Sequence, residues 1–302
     1  MDRFRELSVL VAVAEEGAFN AAARRLNLSP PAVTRLVTAL EARIGARLFT
    51  RTTRRVAPTE AGRRLLADAA RILAELDEAE ASAAGAHQSP RGVLRVTAPV
   101  LFGQRHIAPI LRDFLDAYPE VSATALFVDR VVDLIDEGFD VALRIGPLPD
   151  STLSALRVGA VRRIAVAAPG YVAAHGAPAT PDDLAGHRIV SPLTLHEATR
   201  WSFVAGGRRR TVQLTPRLAV NTMAAAIEAA TAGWGITRAL SYQVADALAD
   251  GTLVEILGDR EDRRMPVHLV HSEGRRAAAK IRAFVDLAAE RLRADPGLLA
   301  LR

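Results

Sequence analysis

The chain of 302 residues contains no cysteine. This absence excludes disulfides, cysteine-ligated zinc and a cysteine nucleophile, and it is compatible with a reducing compartment. The sequence also has no hydrophobic run of the roughly 18 residues that a membrane-spanning helix needs. The N-terminus lacks the apolar segment of a secretory signal, so we expect a cytoplasmic protein with no membrane contact.

Lysine is nearly absent as well, since Lys280 is the only one among 39 basic residues. Arginine therefore carries the positive charge, and its distribution is uneven. Residues 1–64 hold twelve arginines and six acidic residues, a net charge of +6, whereas the rest of the chain holds 27 basic and 28 acidic residues, a net charge of −1. Positive charge concentrated in this way is typical of a module that neutralises nucleic-acid phosphates.

The stretch from Ser29 to Ile44 predicts a helix with two different faces. Ser29 is a favourable N-cap and proline is tolerated in the first helical turn, so the helix is expected to begin at Pro30 and Pro31. Apolar residues recur at helical spacing and predict a buried stripe, formed by Val33, Leu36, Val37, Leu40 and Ile44. Thr34, Arg35 and Thr38 lie on the opposite side and are free to contact a partner.

A shorter predicted helix over residues 21–26 precedes it, with Asn20 as the expected cap and residues 27–28 as a tight connection. Together the two helices predict a helix-turn-helix. On this pair alone, an ordinary helical hairpin of an enzyme fits equally well. The following residues favour DNA binding, because residues 45–59 predict a short basic β-turn segment before another capped helix. We expect its arginines to contact phosphates or the minor groove: Arg51, Arg54 and Arg55.

Two further helices are predicted in the N-terminal part. Residues 4–14 place four apolar residues on one stripe that would support the helix-turn-helix: Phe4, Leu7, Val11 and Ala14. Between residues 61 and 87, apolar residues alternate spacings of four and three, as in a coiled-coil seam. The seam consists of Leu65, Ala69, Ile72, Leu76, Ala79 and Ala83. A helix packed on its own domain is the alternative, and a dimerisation helix is the interpretation we favour.

The length and a hydrophobic content of 50% suit about two domains. The polar segment 88–92 marks a domain boundary, and beyond it strands alternate with helices, which predicts a parallel α/β sheet. Predicted strands cover residues 93–97, 122–128, 141–145, 162–168, 201–214 with a hairpin turn at 206–207, 217–220, 235–238 and 266–271. One predicted helix ends near residue 118, and four others cover residues 131–137, 222–232, 241–249 and 275–293. The last strand and helix are expected to return to the first lobe.

Several of these segments carry a family resemblance. Residues 19–26, 29–35, 48–51 and 58–62 resemble the N-terminal domain of LysR-type transcriptional regulators. Residues 95–103, 136–146 and 232–236 resemble the effector domain of the same family, most closely in its CrgA-like branch. That domain is two-lobed and is related in fold to periplasmic solute-binding proteins.

The resemblance implies a ligand-responsive regulator with three parts, and it implies double-stranded DNA, a small effector and a second copy of the chain as partners. The parts are a winged helix-turn-helix domain over residues 1–60, a linker and dimerisation helix over residues 61–87, and an α/β effector-binding domain over residues 88–302. Within the last, lobe I would cover about 91–162 and 266–302, and lobe II about 163–265. The expected assembly is a homodimer or homotetramer.

The resemblance also implies which residues contact DNA. The family usually has glutamine after the N-cap serine, where this chain has Pro30. Pro31, Thr34 and Arg35 match the family positions that face the groove. The expected DNA-binding residues are Ser29, Pro30, Pro31, Thr34, Arg35, Thr38, Arg51, Arg54 and Arg55.

A two-lobed α/β domain binds its ligand outside the carboxyl ends of its strands, so the loops after the strands predict the site. The candidates are Ala98, Pro99, Val100, Phe102, Val128, Arg144, Gly146, Pro147, Ser191, Leu193, Asn221 and Met223. Residues 98–100 offer few hydrogen-bonding groups. We therefore expect a small, partly apolar or aromatic ligand, which is anionic if Arg144 turns inward.

The chemical motifs of an enzyme are weak in this sequence. His268 and His271 lie three apart on a predicted strand and so face opposite sides, which disfavours a metal pair. Residues 233–235 are only a fragment of a nucleotide-binding fingerprint. We expect no catalytic residues, no metal and no cofactor. A solute-binding transport protein and an enzyme with an appended basic domain stay as alternatives.

Overall fold

The computed structural model describes residues 2–51, 56–83, 89–149, 152–193, 199–205, 208–258, 264–271 and 278–298. It divides the chain into two compact units, Met1–Gln88 and Ser89–Arg302. In the described part of the chain, every helix is too short or too polar to cross a bilayer.

The first unit is helical with a small β-hairpin. Its elements are α1 (Arg3–Glu16), α2 (Phe19–Arg25), α3 (Pro30–Ile44), β1 (Phe49–Arg51), β2 (Val56–Pro58) and α4 (Glu60–Ala83). β1 and β2 pair in antiparallel register and form the wing. The predicted winged helix-turn-helix fold is therefore present, although part of the segment between the two strands lies outside the described residues.

Local sequence explains where α3 begins and ends. The hydroxyl of Ser29 accepts a hydrogen bond from the backbone N–H of Ala32, and prolines occupy the first two helical positions, as predicted. Asn27 adopts a left-handed backbone (φ 52°), which asparagine tolerates, and so turns the chain between α2 and α3. Gly45 ends α3 in the same conformation at φ 75°.

Three predictions within this unit are wrong. Asn20 does not cap α2, because α2 begins at Phe19 with Ala18 in the cap position. Ile44, predicted in the buried stripe, is 42% exposed, because it is the last residue of α3. Phe4, predicted on the supporting stripe of α1, is 44% exposed, because α1 buries the neighbouring stripe that includes Leu10 and Val13.

The second unit is built around one mixed sheet. The strands of the unit are β3 (Gly92–Ala98), β4 (Val121–Phe127), β5 (Val141–Ile145), β6 (Ser154–Ala167), β7 (Ile189–Pro192), β8 (Arg200–Ala205), β9 (Arg208–Gln213), β10 (Leu218–Val220), β11 (Ile236–Leu240), β12 (Val254–Ile256) and β13 (Arg264–His271). β8 and β9 form a separate two-stranded hairpin, and the other strands make up the mixed sheet. Its helices are α5 (Val100–Phe102), a π-helical turn (Gly103–Ile107), α6 (Ala108–Ala117), α7 (Pro169–His175), α8 (Met223–Thr231), α9 (Ala245–Ala249) and α10 (Ala279–Arg293), with 3-10 turns at Pro181–Gly186 and Ser241–Gln243.

The strand directions define two lobes. The path through the sheet is β10-β7-β11-β6-β13-β5-β3-β4, with β12 added beside β6. β3, β4 and β5 are parallel, as are β7, β10 and β11. The predicted parallel pairing is present within these two groups, but the sheet as a whole is mixed, because β13 is antiparallel to both of its neighbours and β6 is antiparallel to β11. The long strand β6 joins the lobes, since its first part pairs with β13 and its last part with β11 and β12.

The chain returns to the first lobe at its C-terminal end, as predicted. β13 pairs with β5, and α10 contributes Phe284 to the core that also contains Phe114 of α6. The rings of Phe114 and Phe284 lie edge to face, with centroids 5.4 Å apart.

The sequence predicted a helix over residues 131–137, but residues 131–133 have no regular secondary structure and residues 134–138 form turns. The carboxylate of Asp133 accepts hydrogen bonds from the backbone N–H groups of Ile135 and Asp136. Such side-chain bonds compete with the helical ladder, which explains the error. The carboxylate of Glu137 closes the same loop by a bidentate pair with Arg130.

Candidate nucleic-acid interface and ligand cavity

The outer face of α3 is a candidate nucleic-acid surface. Val33, Val37 and Leu40 are buried in the core of the first unit, and this fixes the rotation of the helix. Pro31, Arg35 and Thr38 are exposed on the other side, and Thr34 is half-buried. A shallow groove along this face is lined by Pro30, Pro31, Thr34, Arg35, Thr38, Ala39 and Ala42. Arginine and threonine side chains in a groove of this kind can donate to base edges and phosphates.

Ser29 caps the N-terminal end of α3. Its hydroxyl already accepts the hydrogen bond from Ala32 N–H, so it holds the helix start in place. Pro30 is exposed beside it. Because proline has no N–H, Pro30 contributes shape and no backbone donor at this position.

The wing is tied to α3 by a carboxylate. Glu41 accepts hydrogen bonds from the backbone N–H groups of Leu48 and Phe49, at 2.7 and 3.2 Å. These bonds set the start of β1 relative to α3. The side chain of Arg51, and the whole of Arg54 and Arg55, lie outside the described residues, so their expected DNA contacts stay predictions.

A second carboxylate, Glu6 of α1, is only 1% exposed and pairs with Arg43 at the end of α3. One of its two oxygens, Oε1, has no hydrogen-bond partner. The sequence did not predict this pair, because the apolar spacing of α1 indicated a neighbouring stripe as the buried one. The pair joins α1 to α3, the helix that carries the candidate surface.

The residues of the seam predicted on α4 differ in burial. Ala69 is fully buried in the core of its own unit, with Leu65 packed against the same core. This corrects the assignment of Ala69 to a dimer interface, since a buried alanine has no surface to offer. Ile72 and Leu76 are half-buried. The side chain of Ala79 lies outside the described part of the chain.

The second unit contains a cavity of about 220 Å³ where its two lobes meet. Five of the predicted residues line it: Ala98, Pro99, Val128, Arg144 and Met223. They come from the ends of β3, β4 and β5 in one lobe and from the start of α8 in the other. The rule that ligands bind outside the carboxyl ends of strands therefore locates the cavity.

The other predicted residues are not among those that line the cavity. Phe102 is fully buried in the core, with its ring centroid 5.0 Å from that of Tyr242. Val100 begins α5, and its N–H donates to Asp129. The remaining five, which are Gly146, Pro147, Ser191, Leu193 and Asn221, also stand outside the lining. Phe102 was misplaced because the residues after β3 form the short helix α5, which the sequence analysis took for an open loop.

Sequence analysis missed other lining residues. These are Thr97, Arg130, Val131, Leu143, Ile145, Arg163, Leu240, Tyr242, Gln243 and Met265. Asp129 and Pro192, which lie in the same predicted loops as Val128 and Ser191, also line the cavity. Arg163 lies where β6 passes between the lobes, and Tyr242 lies in a 3-10 turn. Arg163 lies within a strand, so the rule applied to the sequence does not reach it. Tyr242 follows β11, which is parallel to β7, so the rule covers it, but the loop after the predicted strand 235–238 was not among the candidates.

The charged groups that line the cavity are mostly cationic. Arg130, Arg144 and Arg163 line it, against one carboxylate, Asp129. The guanidinium of Arg144 donates to the carbonyl of Val132, and burial lowers its pKa from the ordinary value while nearby Asp133 and Glu137 raise it. Burial raises the pKa of Tyr242, so its hydroxyl stays protonated. The cavity thus combines an apolar wall with the guanidinium groups of Arg144 and Arg163, while Arg130 is neutralised by its pair with Glu137. Such a lining suits a small anion with an apolar body.

Comparisons with known proteins agree with this architecture. Residues 4–63 match the family model of bacterial regulatory helix-turn-helix proteins of the lysR family, and residues 87–293 match the LysR substrate binding domain. The chain is 34% identical over 294 residues to the HTH-type transcriptional regulator PtxR of Pseudomonas aeruginosa, covering 97% of this chain and 94% of that protein. It is 32% identical over 289 residues to PgrR of Escherichia coli, covering 94% and 96% of the two chains.

Solved structures show the same likeness. The structure of CrgA, a LysR-type transcriptional regulator from Neisseria meningitidis, matches with a TM-score of 0.62 at 30% identity, over 95% of this chain and 98% of that chain. The full-length virulence activator AphB of Vibrio cholerae matches with a TM-score of 0.62 at 25% identity, over 96% and 99% of the two chains. These findings support a regulator over the transport protein and the enzyme. The chain belongs to the LysR family and is a ligand-responsive, DNA-binding transcriptional regulator of that type.

Proposed function

We propose that α3 enters the major groove of the operator and that Arg35 reads base edges there, with Pro31, Thr34 and Thr38 beside it. The observation that carries this proposal is the two-faced character of α3, whose buried stripe leaves Arg35 pointing away from the core. A helix-turn-helix places its second helix in this way. Arg51, Arg54 and Arg55 of the wing would hold phosphates, which position the protein without reading sequence.

We further infer that the cavity of the second unit binds the effector, a small anion with an apolar or aromatic body. Arg163 and Arg144 would pair with its charge, and Met223 would contact its apolar part. Because lining residues come from both lobes, a ligand in the cavity favours one arrangement of the lobes over others. The shift in that equilibrium would change how the regulator acts at its operator.

A thermal-shift screen tests this inference. Benzoate and other small aromatic or aliphatic acids are compared with their neutral amides, such as benzamide. An acid that binds only the folded state, at 100 times its dissociation constant, should add about 2.7 kcal/mol to the free energy of unfolding. Arg163→Ala should abolish the shift, whereas Arg112→Ala, which removes an exposed arginine elsewhere in the unit, should leave it intact. A hit whose shift survives Arg163→Ala and Met223→Ala would bind elsewhere.

We also propose that the protein assembles through α4. Family members form oligomers, and the half-buried Ile72 and Leu76 extend the apolar stripe of α4 beyond the part that packs on its own core. Leu76→Glu should convert a dimer into monomers in sedimentation at micromolar concentration, since an interface would bury its unpaired carboxylate. Ala70→Glu adds the same charge at an exposed position of α4 and should leave the dimer intact. Monomeric wild-type protein at that concentration would contradict the proposal.

This assembly predicts that the operator is palindromic. Two reading helices related by a two-fold axis require two half-sites in helical phase. A role on DNA also implies a cytoplasmic location for the protein. No enzymatic activity is part of the proposed function.

A further inference from the structure

The wing and α3 are joined at one carboxylate. Glu41 of α3 accepts hydrogen bonds through its Oε1 atom from two backbone N–H groups, those of Leu48 and Phe49, at 2.7 and 3.2 Å. Both donors lie at the start of the wing. We propose that Glu41 is a positioning residue for DNA binding, because it fixes the direction in which the wing extends from the reading helix toward the phosphate backbone. This inference rests on the proposed phosphate contacts of the wing arginines.

The hairpin itself cannot supply a partner for the N–H of Phe49. The N–H of Thr59 donates to the carbonyl of Leu48 at 2.9 Å, and the next pair along the hairpin is Phe49 with Pro58. Hydrogen-bonded and non-hydrogen-bonded pairs alternate in an antiparallel ladder, so the N–H of Phe49 points away from β2. Leu48 and Phe49 are only 1% and 3% exposed. Without the carboxylate, buried donors would stay unpaired unless the strand moved.

The orientation of the wing depends on such anchoring contacts. β1 and β2 have three residues each, and a hairpin of this size is marginally stable by itself. The ring of Phe49 lies edge to face with that of Phe19, with centroids 6.1 Å apart, and the N–H of Val56 donates to the carbonyl of Gly17. These two contacts tie the wing to α2 and to the end of α1. Glu41 ties it to α3, the helix that reads the operator.

The charge of Glu41 by itself opposes DNA binding. Thr38 and Ala42 line the groove on the outer face of α3, and they also line a second groove with Glu41 and Arg47 at the base of the wing. The carboxylate therefore lies beside a surface that approaches phosphates, which it repels. Any benefit of Glu41 to binding comes from the geometry that its hydrogen bonds impose, and the two effects can be separated by substitution.

Glu41→Gln and Glu41→Met make that separation in the full-length protein. Both variants remove the charge and keep a similar side-chain length, but only glutamine keeps an oxygen that accepts the two hydrogen bonds. The probes are the duplex upstream of the protein's own coding region and a scrambled duplex of equal length, titrated between about 50 and 200 mM salt.

Glu41→Met should bind both duplexes more weakly than Glu41→Gln, by the same factor. Its slope of log K against log salt should be smaller by about 0.9 for each phosphate contact that is lost. The ratio of affinities between the two duplexes should stay unchanged, because base reading by α3 sets that ratio. Circular dichroism melts establish that both variants are folded at the titration temperature. Glu41→Ala replaces Glu41→Met if methionine prevents folding, since alanine also lacks the acceptor and is favourable in a helix.

Arg54→Ser/Arg55→Ser distinguishes this inference from the proposed role of the wing, although both arginines lie outside the described residues. Introduced into Glu41→Gln, the double substitution should lower the salt slope, and introduced into Glu41→Met it should lower the slope less, because a displaced wing has already lost those contacts. A substitution that only weakened the fold would not produce this dependence.

Two results would overturn the positioning role. If Arg54→Ser/Arg55→Ser lowers the slope but Glu41→Met keeps the slope of Glu41→Gln, the wing binds phosphates without depending on Glu41. A changed affinity ratio between the duplexes in Glu41→Met would also contradict the inference, since the variant would then act on base reading by α3. If neither the arginine substitutions nor Glu41→Met lowers the slope, the proposed phosphate contacts of the wing are wrong as well.

Discussion

Arg43→Ala is expected to destabilise the DNA-binding unit by about 3 kcal/mol, the lower end of the cost of breaking a buried ion pair. The partner carboxylate, Glu6, is 1% exposed and would lose its cation, whereas Arg43 itself is 43% exposed and partly screened by water. The loss falls on the contact between α1 and α3, so operator binding should weaken with stability. Chemical denaturation of the full-length protein, followed by circular dichroism, measures the change.

A double variant supplies the control for this prediction. Glu6→Met/Arg43→Met removes both charges together and should recover most of the lost stability, because replacing a buried pair with apolar side chains is often neutral. If Arg43→Ala alone changed the unfolding free energy by less than about 0.5 kcal/mol, as surface substitutions usually do, the carboxylate would not depend on this cation.

The first unit was largely predictable from its sequence, because local signals determine it. Ser29 and the two prolines fix the start of α3, and the spacing of Val33, Val37 and Leu40 fixes its rotation. The errors occur at the ends of helices, at Asn20 in the start of α2 and at Phe4 and Ile44. At a helix end, the spacing of apolar residues does not show whether the hydrophobic core extends to the last residues.

The second unit was less predictable, because its sheet depends on long-range pairing. β13 runs antiparallel between β5 and β6, and no local pattern distinguishes an antiparallel strand inserted there from a parallel one. The segment 131–137 was mispredicted for a local reason. The side-chain hydrogen bonds of Asp133 compete with the backbone hydrogen bonds of a helix, and apolar spacing does not reveal them.

The cavity was predicted in part for the same reason. Residues that follow parallel strands, such as Pro99 and Val128, line it as expected. Tyr242 follows the parallel strand β11 in a loop that was not among the candidates, and Arg163 and Met265 reach the cavity from β6 and β13. Their positions depend on how the two lobes meet, which the sequence pattern does not encode locally.

The central claim is that Arg35 of α3 reads the operator, and Arg35→Ala is the variant that tests it. A base-reading arginine contributes roughly 1–3 kcal/mol, so the variant should bind its operator about 5 to 150 times more weakly and distinguish it less well from other sequences. Arg3→Ala is the matched control, because it removes an exposed arginine at the start of α1, away from the outer face of α3.

The direct measurement is a binding titration of wild type, Arg35→Ala and Arg3→Ala against the duplex upstream of the protein's own coding region and a scrambled duplex of equal length, at one fixed salt concentration. The account predicts that Arg35→Ala lowers affinity for the first duplex much more than for the second, while Arg3→Ala behaves like the wild type. Unchanged affinity and unchanged discrimination in Arg35→Ala would contradict it.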